Sequence, residues 1–160
     1  MVSCMRSLIA YLSYSGNTEE IAFIIKRILE RKKHDVEMYE IGYNHHLPDI
    51  SSYDYIFLGT FTWDLGNTPD EVKDFILEIG YKPPNVAVFG SGDTQFGGDE
   101  LFCRAVDKLV TFYESKWEGL KIEQSPRGEQ EKKIEKWVER VLTDDEDITK
   151  SKNVRAEIPY

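Results

Sequence analysis

Cysteine is scarce in this sequence. There are two in 160 residues, Cys4 and Cys103, far apart and in no CxxC arrangement. That excludes a disulfide framework and a cysteine-based zinc site. It fits reduced thiols in a cytoplasmic protein, packed as small apolar groups. Positive charge is in deficit too: 29 acidic residues face 20 Lys and Arg, a net charge of −9. Nucleic acids and anionic membranes select basic surfaces, so neither is an expected partner. The same charge suits a basic protein partner, and it also suits solubility alone. No apolar run is long enough to span a bilayer. Met1–Arg6 leads straight into strand-like sequence, without the pattern of a signal peptide. Histidine is limited to His34 and the adjacent His45-His46, the latter in a polar loop where such side chains usually face solvent, and no metal site is expected.

Several signatures of nucleotide and phosphotransfer chemistry are missing. GxxxxGK[ST] does not occur. GSGDTQFG at 90–97 departs from GxGxxG and comes late in the chain, not after the first strand. Neither a P-loop nor a nicotinamide dinucleotide is supported. A phosphorylated receiver needs an acidic pair after its first strand and an aspartate ending its third; this chain has Ser13-Tyr14-Ser15 and Gly59-Thr60 there.

What is present is an apolar content of 41%, enough for one domain-sized core. Arg6 to Ser13 reads as a buried strand. The spacing of Ile21, Ile24, Ile25, Ile28 and Leu29 predicts a helix from Asn17 to about Lys33, with Asn17 as N-cap and Glu20 completing a capping box. Val36–Ile41 alternates as a short strand, and 43–53 reads as a loop with room for one helical turn. Tyr55–Gly59 is a continuous apolar run, as in a strand covered on both faces. Thr68-Pro69-Asp70-Glu71 opens a second helix, capped by Thr68, ended by Gly80, and turning Val72, Phe75, Ile76 and Ile79 inward. Val86–Phe89 is a strand that ends at Gly90-Ser91-Gly92. A third helix over Asp99–Tyr113 places Phe102, Ala105, Leu109 and Phe112 inside. Trp117–Ile122 is a weaker strand. Glu129–Leu142 is the last helix, with Ile134, Trp137, Val138, Val141 and Leu142 on its face. Residues 1–142 then form the domain, and the polar stretch 143–160, which starts with the acidic run Asp144–Asp147, reads as a mobile or loosely docked tail.

Alternating strands and helices predict an α/β protein, a three-layer α/β/α sandwich around a parallel sheet with right-handed crossovers. Such sheets bind ligands beyond the carboxyl ends of their strands, near the point where strand order reverses. Three loops follow strands and so share that edge: Ser13-Tyr14-Ser15-Gly16-Asn17-Thr18, then Thr60-Phe61-Thr62-Trp63-Asp64-Leu65-Gly66, then Gly90-Ser91-Gly92-Asp93-Thr94-Gln95-Phe96-Gly97. The first combines hydroxyls with a helix start, and it suits either a phosphate or a plain helix cap. Trp63 and Phe96 could face each other across a slot for a flat ring, or could be a rim residue and a core residue.

The three loops together resemble those of flavodoxins. SYSGNT at 13–18 matches the family's phosphate loop, [ST]-x-[ST]-G-N-T; TWDLG at 62–66 and GSGDTQF at 90–96 match its two ring loops. The likeness spans roughly Arg6 to Leu142. It implies a five-stranded parallel sheet of order 2-1-3-4-5, one non-covalently bound FMN, and a short-chain electron carrier that is monomeric and has no catalytic residue of its own. By the resemblance, Ser13, Ser15, Asn17 and Thr18, with the amides of Tyr14 and Gly16, hold the phosphate. Trp63 and Phe96 flank the ring, and Asp93 with the Gly92 backbone meets its pyrimidine end. Thr60, Phe61, Thr62, Asp64, Leu65, Gly66, Ser91 and Gly97 complete the lining. Two departures stand out. Asp64 occupies a position that is often glycine in the family, which disfavours a peptide flip and the neutral half-reduced state. Phe96 replaces a tyrosine and keeps its stacking face. Carboxylates near the ring (Asp64, Asp70, Glu71, Asp74, Asp93, Asp99 and Glu100, against Lys73 and Arg104) imply a low potential and docking to basic reductases and acceptor enzymes. The alternatives are a flavodoxin-like activator of a manganese ribonucleotide reductase and an FMN-dependent quinone reductase.

Overall fold

The structure is a computed structural model that describes residues 5–13, 16–42, 46–61, 68–92, 103–123 and 126–155, with side chains described as far as Thr143. Its elements are β1 (Arg6–Tyr11), α1 (Asn17–Arg31), β2 (Asp35–Glu40), a 3-10 turn (Ile50–Ser52), β3 (Tyr55–Phe61), α2 (Asp70–Ile79), β4 (Val86–Gly92), α3 (Arg104–Tyr113), β5 (Leu120–Glu123) and α4 (Glu129–Arg155). The five strands form one sheet of order β2-β1-β3-β4-β5, and every pair is parallel. Architecture and strand order are those expected.

Strand alternation divides the core into two layers. Ile9, Tyr11, Tyr55, Phe57, Ala87 and Phe89 point to one face and pack with α1 and α4. Leu8, Ala10, Leu12, Ile56, Leu58, Val86 and Val88 point to the other and pack with α2 and α3. Side chains on a strand alternate in direction, so a strand with helices over both faces must be apolar throughout. This explains the unbroken runs of β1, β3 and β4. The edge strand β2 turns Val36 and Met38 toward the α1 layer, and on its other face Tyr39 alone is buried, against Phe75 of α2.

Several local expectations are corrected. Gly16, not Asn17, occupies the cap position of α1, at φ 93°, and no side chain caps the helix. At α2 the cap position is taken by Pro69, again without a side-chain cap, and Thr68 is buried. Strand β4 does not stop at Phe89 but runs through Gly92. Gly90 sits within it because a Cβ there would lie 2.5 Å from a methyl of Val106 and 2.6 Å from the Thr60 carbonyl oxygen. On α3, Phe112 is exposed; Val106 and Tyr113 join Ala105 and Leu109 in the core, while Phe102 lies outside the described residues. Strand β5 begins at Leu120, with Trp117 buried in the turn before it, and α4 continues to Arg155, past the expected end at Leu142.

Cys103 opens α3 from a left-handed position, φ 51°, and is fully buried beneath β4 and β5. Its Sγ lies 3.8 Å from the Gly90 carbonyl and 4.0 Å from that of Ile122. Burial pushes the thiol up to about 12. In a Cys4→Ser variant at pH 8, Cys103 will therefore react with Ellman's reagent roughly a thousandfold more slowly than a free thiol. The reaction will accelerate with urea in step with loss of the near-ultraviolet circular dichroism. Fast labelling of the native protein would show that Cys103 is accessible.

Candidate functional site

Because all strands are parallel, the segments that follow β1, β3 and β4 leave the sheet at one edge. Strand order reverses between β1 and β3, and there the Leu12 N–H donates to the Gly59 carbonyl at 3.1 Å. In the next pair, Phe61 is in register with Ser91, so the roots of the second and third loops lie side by side.

The first loop turns sharply at Gly16. With φ 93° and ψ −11°, this residue has a conformation that costs an L-residue about 1–2 kcal/mol. Open space lies where a side chain would be. The Gly16 N–H donates to Ser13 Oγ at 3.1 Å. Ser13 accepts there, so its own proton remains to donate elsewhere. The Gly16 carbonyl accepts from Glu20 at 3.0 Å and begins the helical ladder. The N–H groups of Asn17, Thr18 and Glu19 consequently have no intrahelical acceptor and point outward at the positive end of α1.

The next contact joins the first loop to the third. Thr18 Oγ1 and Ser91 Oγ lie 2.8 Å apart, both buried. If Ser91 donates, the Thr18 proton is available to an incoming acceptor. Beside them Thr60 is fully buried, with Oγ1 donating to the Phe61 carbonyl at 2.9 Å. Phe61 packs partly against the α2–α3 layer, and Gly92 ends β4. These donors match an oxyanion in number and kind: two hydroxyls, three amides and a helix terminus, with no cationic side chain.

The rim is acidic. Glu19 and Glu20 occupy the first turn of α1, Asp70 and Glu71 that of α2; Glu40 ends β2 and Glu123 ends β5. The Tyr11 hydroxyl is 3.4 Å from both Glu19 and Glu40. Burial, then the charges of Glu40 and Glu19, hold its pKa far above the ordinary tyrosine value, so it stays a donor. Sequence reading missed this bridge. The alternation in β2 places Glu40 at a strand end, but its meeting with Glu19 needs the β1–β2 register, Tyr11 opposite Glu40.

Of the residues expected at the site, Ser13, Gly16, Asn17, Thr18, Thr60, Phe61, Ser91 and Gly92 are described and share this edge. Tyr14, Ser15, Thr62, Trp63, Asp64, Leu65, Gly66, Asp93, Phe96 and Gly97 lie outside the described residues. Among the described residues no cluster of ligating side chains could hold a metal ion. His34, at the opposite end of the sheet, shares a hydrogen bond of 3.1 Å with Ser7.

Comparison with known proteins gives a consistent result. A family model described as Flavodoxin matches residues 9–137. Probable flavodoxin 2 and Probable flavodoxin 1 of Bacillus subtilis (strain 168) are 35% and 37% identical to this chain over 135 and 134 residues, 79% of this chain in both cases and 87% and 82% of theirs. The crystal structure of oxidised Flavodoxin 2 from Bacillus cereus matches with a TM-score of 0.74 at 37% identity, covering 87% of this chain and 99% of that one.

The Thr18–Ser91 bond generates a direct test. Thr18→Val keeps the shape but leaves Ser91 Oγ buried without its partner. It should destabilise the FMN-free protein by about 1–3 kcal/mol in urea unfolding. Adding Ser91→Ala should recover part of that loss, because both ends are then apolar. Strict additivity of the two changes would show that the hydroxyls do not interact.

Proposed function

The chain belongs to the flavodoxin family and is an FMN-binding electron carrier; on that basis we propose that it works at low potential between a basic reductase and basic acceptor enzymes, with the flavin at the edge where Thr18 meets Ser91. FMN, when bound, supplies the redox chemistry, accepting and releasing single electrons. Sheets of this strand order carry FMN at the β1/β3 reversal, which here lies between Leu12 and Gly59.

The observation that carries the placement is the cationless donor set at the start of α1. Amides of Asn17, Thr18 and Glu19 and the hydroxyls of Ser13 and Thr18 bind the phosphate dianion, with Ser15 and the Tyr14 amide from the same loop. The α1 dipole supplies the positive field. With Ser91 as the donor of their shared hydrogen bond, the Thr18 hydroxyl keeps its proton for the phosphate. Trp63 and Phe96 sandwich the ring and exclude water from its faces. Asp93 and the Gly92 backbone orient its pyrimidine end, and Thr60, Phe61, Thr62, Asp64, Leu65, Gly66 and Gly97 line the remainder.

The acidic rim sets the electrical conditions. Glu19, Glu20, Glu40, Asp70, Glu71 and Glu123 stand at this edge by topology. Negative charge added between them is opposed, which lowers the potential of the last electron. Asp64 resists a left-handed peptide and withholds a carbonyl that a glycine would turn inward. The same carboxylates draw a basic partner to the exposed margin. The chain functions as a monomer in the cytoplasm. No described helix is long and apolar enough to cross a membrane. Nothing in the comparisons favours an activator of manganese ribonucleotide reductase.

Reconstitution with FMN should give a yellow one-to-one complex. Trp63→Ala should weaken FMN binding by about tenfold, equivalent to ~1.4 kcal/mol, and shift the midpoint potentials in a spectroelectrochemical titration. Unchanged affinity and potentials would remove Trp63 from the ring. Reduction by a basic flavoprotein reductase should slow as ionic strength rises from 0.01 to 0.5 M, all chosen values lying on the order of the screening range. A salt-independent rate would exclude the acidic rim as the docking surface.

A further inference from the structure

A chain this acidic would be expected to carry more carboxylates than cations on every face. One surface reverses that balance. A shallow cavity of about 470 Å³ lies along β5 and α4, and its lining includes Lys121, Lys132, Lys133, Lys136 and Arg140. Against these five cations it holds three carboxylates, Asp107, Glu118 and Glu129. It is a local reversal of the molecule's charge. It also runs away from the flavin edge: Lys133 Nζ reaches the Lys121 carbonyl in mid-strand at 2.8 Å, and farther along, beside Glu118, lie the Trp137 indole N–H and Arg140.

The cavity follows an open sheet edge. Among the described strands β5 is hydrogen-bonded to β4 alone. The Lys121 carbonyl accepts from Lys133, on α4, so it faces outward, away from β4. In a strand the N–H and C=O of one residue point to the same side, so the Lys121 N–H faces outward too. Above this edge, Lys132, Lys136 and Arg140 follow one another at i, i+4 and i+8 on α4. Their spacing is about 6 Å along the axis. Alternate residues of an extended peptide are about 6.6 Å apart. A strand laid beside β5, acidic at every second position, would bring its carboxylates opposite these cations in turn.

We propose that this groove docks an extended acidic segment of a partner polypeptide, added as a sixth strand beside β5. Pairing to the outward Lys121 N–H, with its carbonyl shared with or released by Lys133, gives the geometry, and the cation row of α4 gives the choice of sequence. The internal ion pairs leave the row available. Lys132–Glu129 is 3.6 Å and Arg140–Glu118 is 3.5 Å, both between exposed side chains, and such pairs are worth little and exchange readily. Lysines along a sheet edge also repel stray neutral or basic strands, which sharpens the selection. A polypeptide is favoured over nucleic acid because the groove offers strand-pairing groups and the remainder of the chain repels a polyanion. The carrier would thus have two docking faces of opposite sign, a basic partner at the flavin edge and an acidic segment at β5.

The test uses the FMN-bound, isotope-labelled protein and an acetylated, amidated peptide, (Glu-Thr)4, followed by NMR. The peptide should shift the amides of Leu120–Glu123 and of Lys132–Arg140, and should slow hydrogen exchange at the Lys121 N–H. Affinity should fall as salt is added. Lys132→Glu/Lys136→Glu/Arg140→Glu should weaken binding at least tenfold while leaving the flavin spectrum and melting temperature in place. The proposal is overturned if millimolar peptide causes no shift, if the triple variant binds equally well, or if (Lys-Thr)4 binds as tightly. It is also overturned if inorganic phosphate or a short DNA duplex reproduces the same shifts at the same concentration. An intact flavin spectrum throughout separates failure here from failure of the flavin assignment.

Discussion

A single buried hydrogen bond, Thr18 to Ser91, ties the start of the first helix to the end of the fourth strand. It closes across the place where strand order reverses, between residues far apart in sequence. Without it the hydroxyls and amides at the head of α1 would still exist, but their position relative to the loops after β3 and β4 would rest on backbone packing alone. The bond is short and desolvated, so leaving either group alone is costly. Gly16 complements it: the left-handed turn directs the chain from β1 into α1 with the first three helical amides outward.

Charge is distributed with the same economy. The positive end of α1 offers an anion its amides and hydroxyls without a lysine or arginine, so the rim can be acidic without being neutralised from within. On the proposed function these carboxylates serve two purposes, opposing added electrons and attracting a basic partner. Five cations are gathered on α4 and β5, along the side of β5 that faces away from β4. The molecule is polar along its sheet, and each end suits a different kind of surface.

Strong periodicity made most of the fold legible. The unbroken apolar runs of β1, β3 and β4 could only be strands covered on both sides, and the isoleucines of α1 could only be a helix face. Helix starts were read less well. Asn17 and Thr68 have good capping chemistry, yet the cap positions are Gly16 and Pro69 and neither helix has a side-chain cap. Phe112 and Tyr113 are adjacent aromatics, and periodicity alone could not say which faces the core. The helical phase of α3 is set by the left-handed Cys103 and its burial under β4 and β5, and that phase turns Tyr113 inward. Gly90 looked like the start of a loop, but it lies inside a strand, where Val106 and the Thr60 carbonyl leave no room for a side chain.

The order of elements, the family to which the chain belongs and the hydroxyl-rich chemistry of its first loop were determined by the amino-acid sequence, because hydrophobic period and short-range hydroxyl, glycine and amide patterns are local properties. Only the tertiary structure decided that Thr18 meets Ser91, that Tyr11 bridges Glu19 and Glu40, and that five cations line the edge of β5. Those meetings depend on strand order and register, which bring distant residues together through long-range packing that no local pattern encodes.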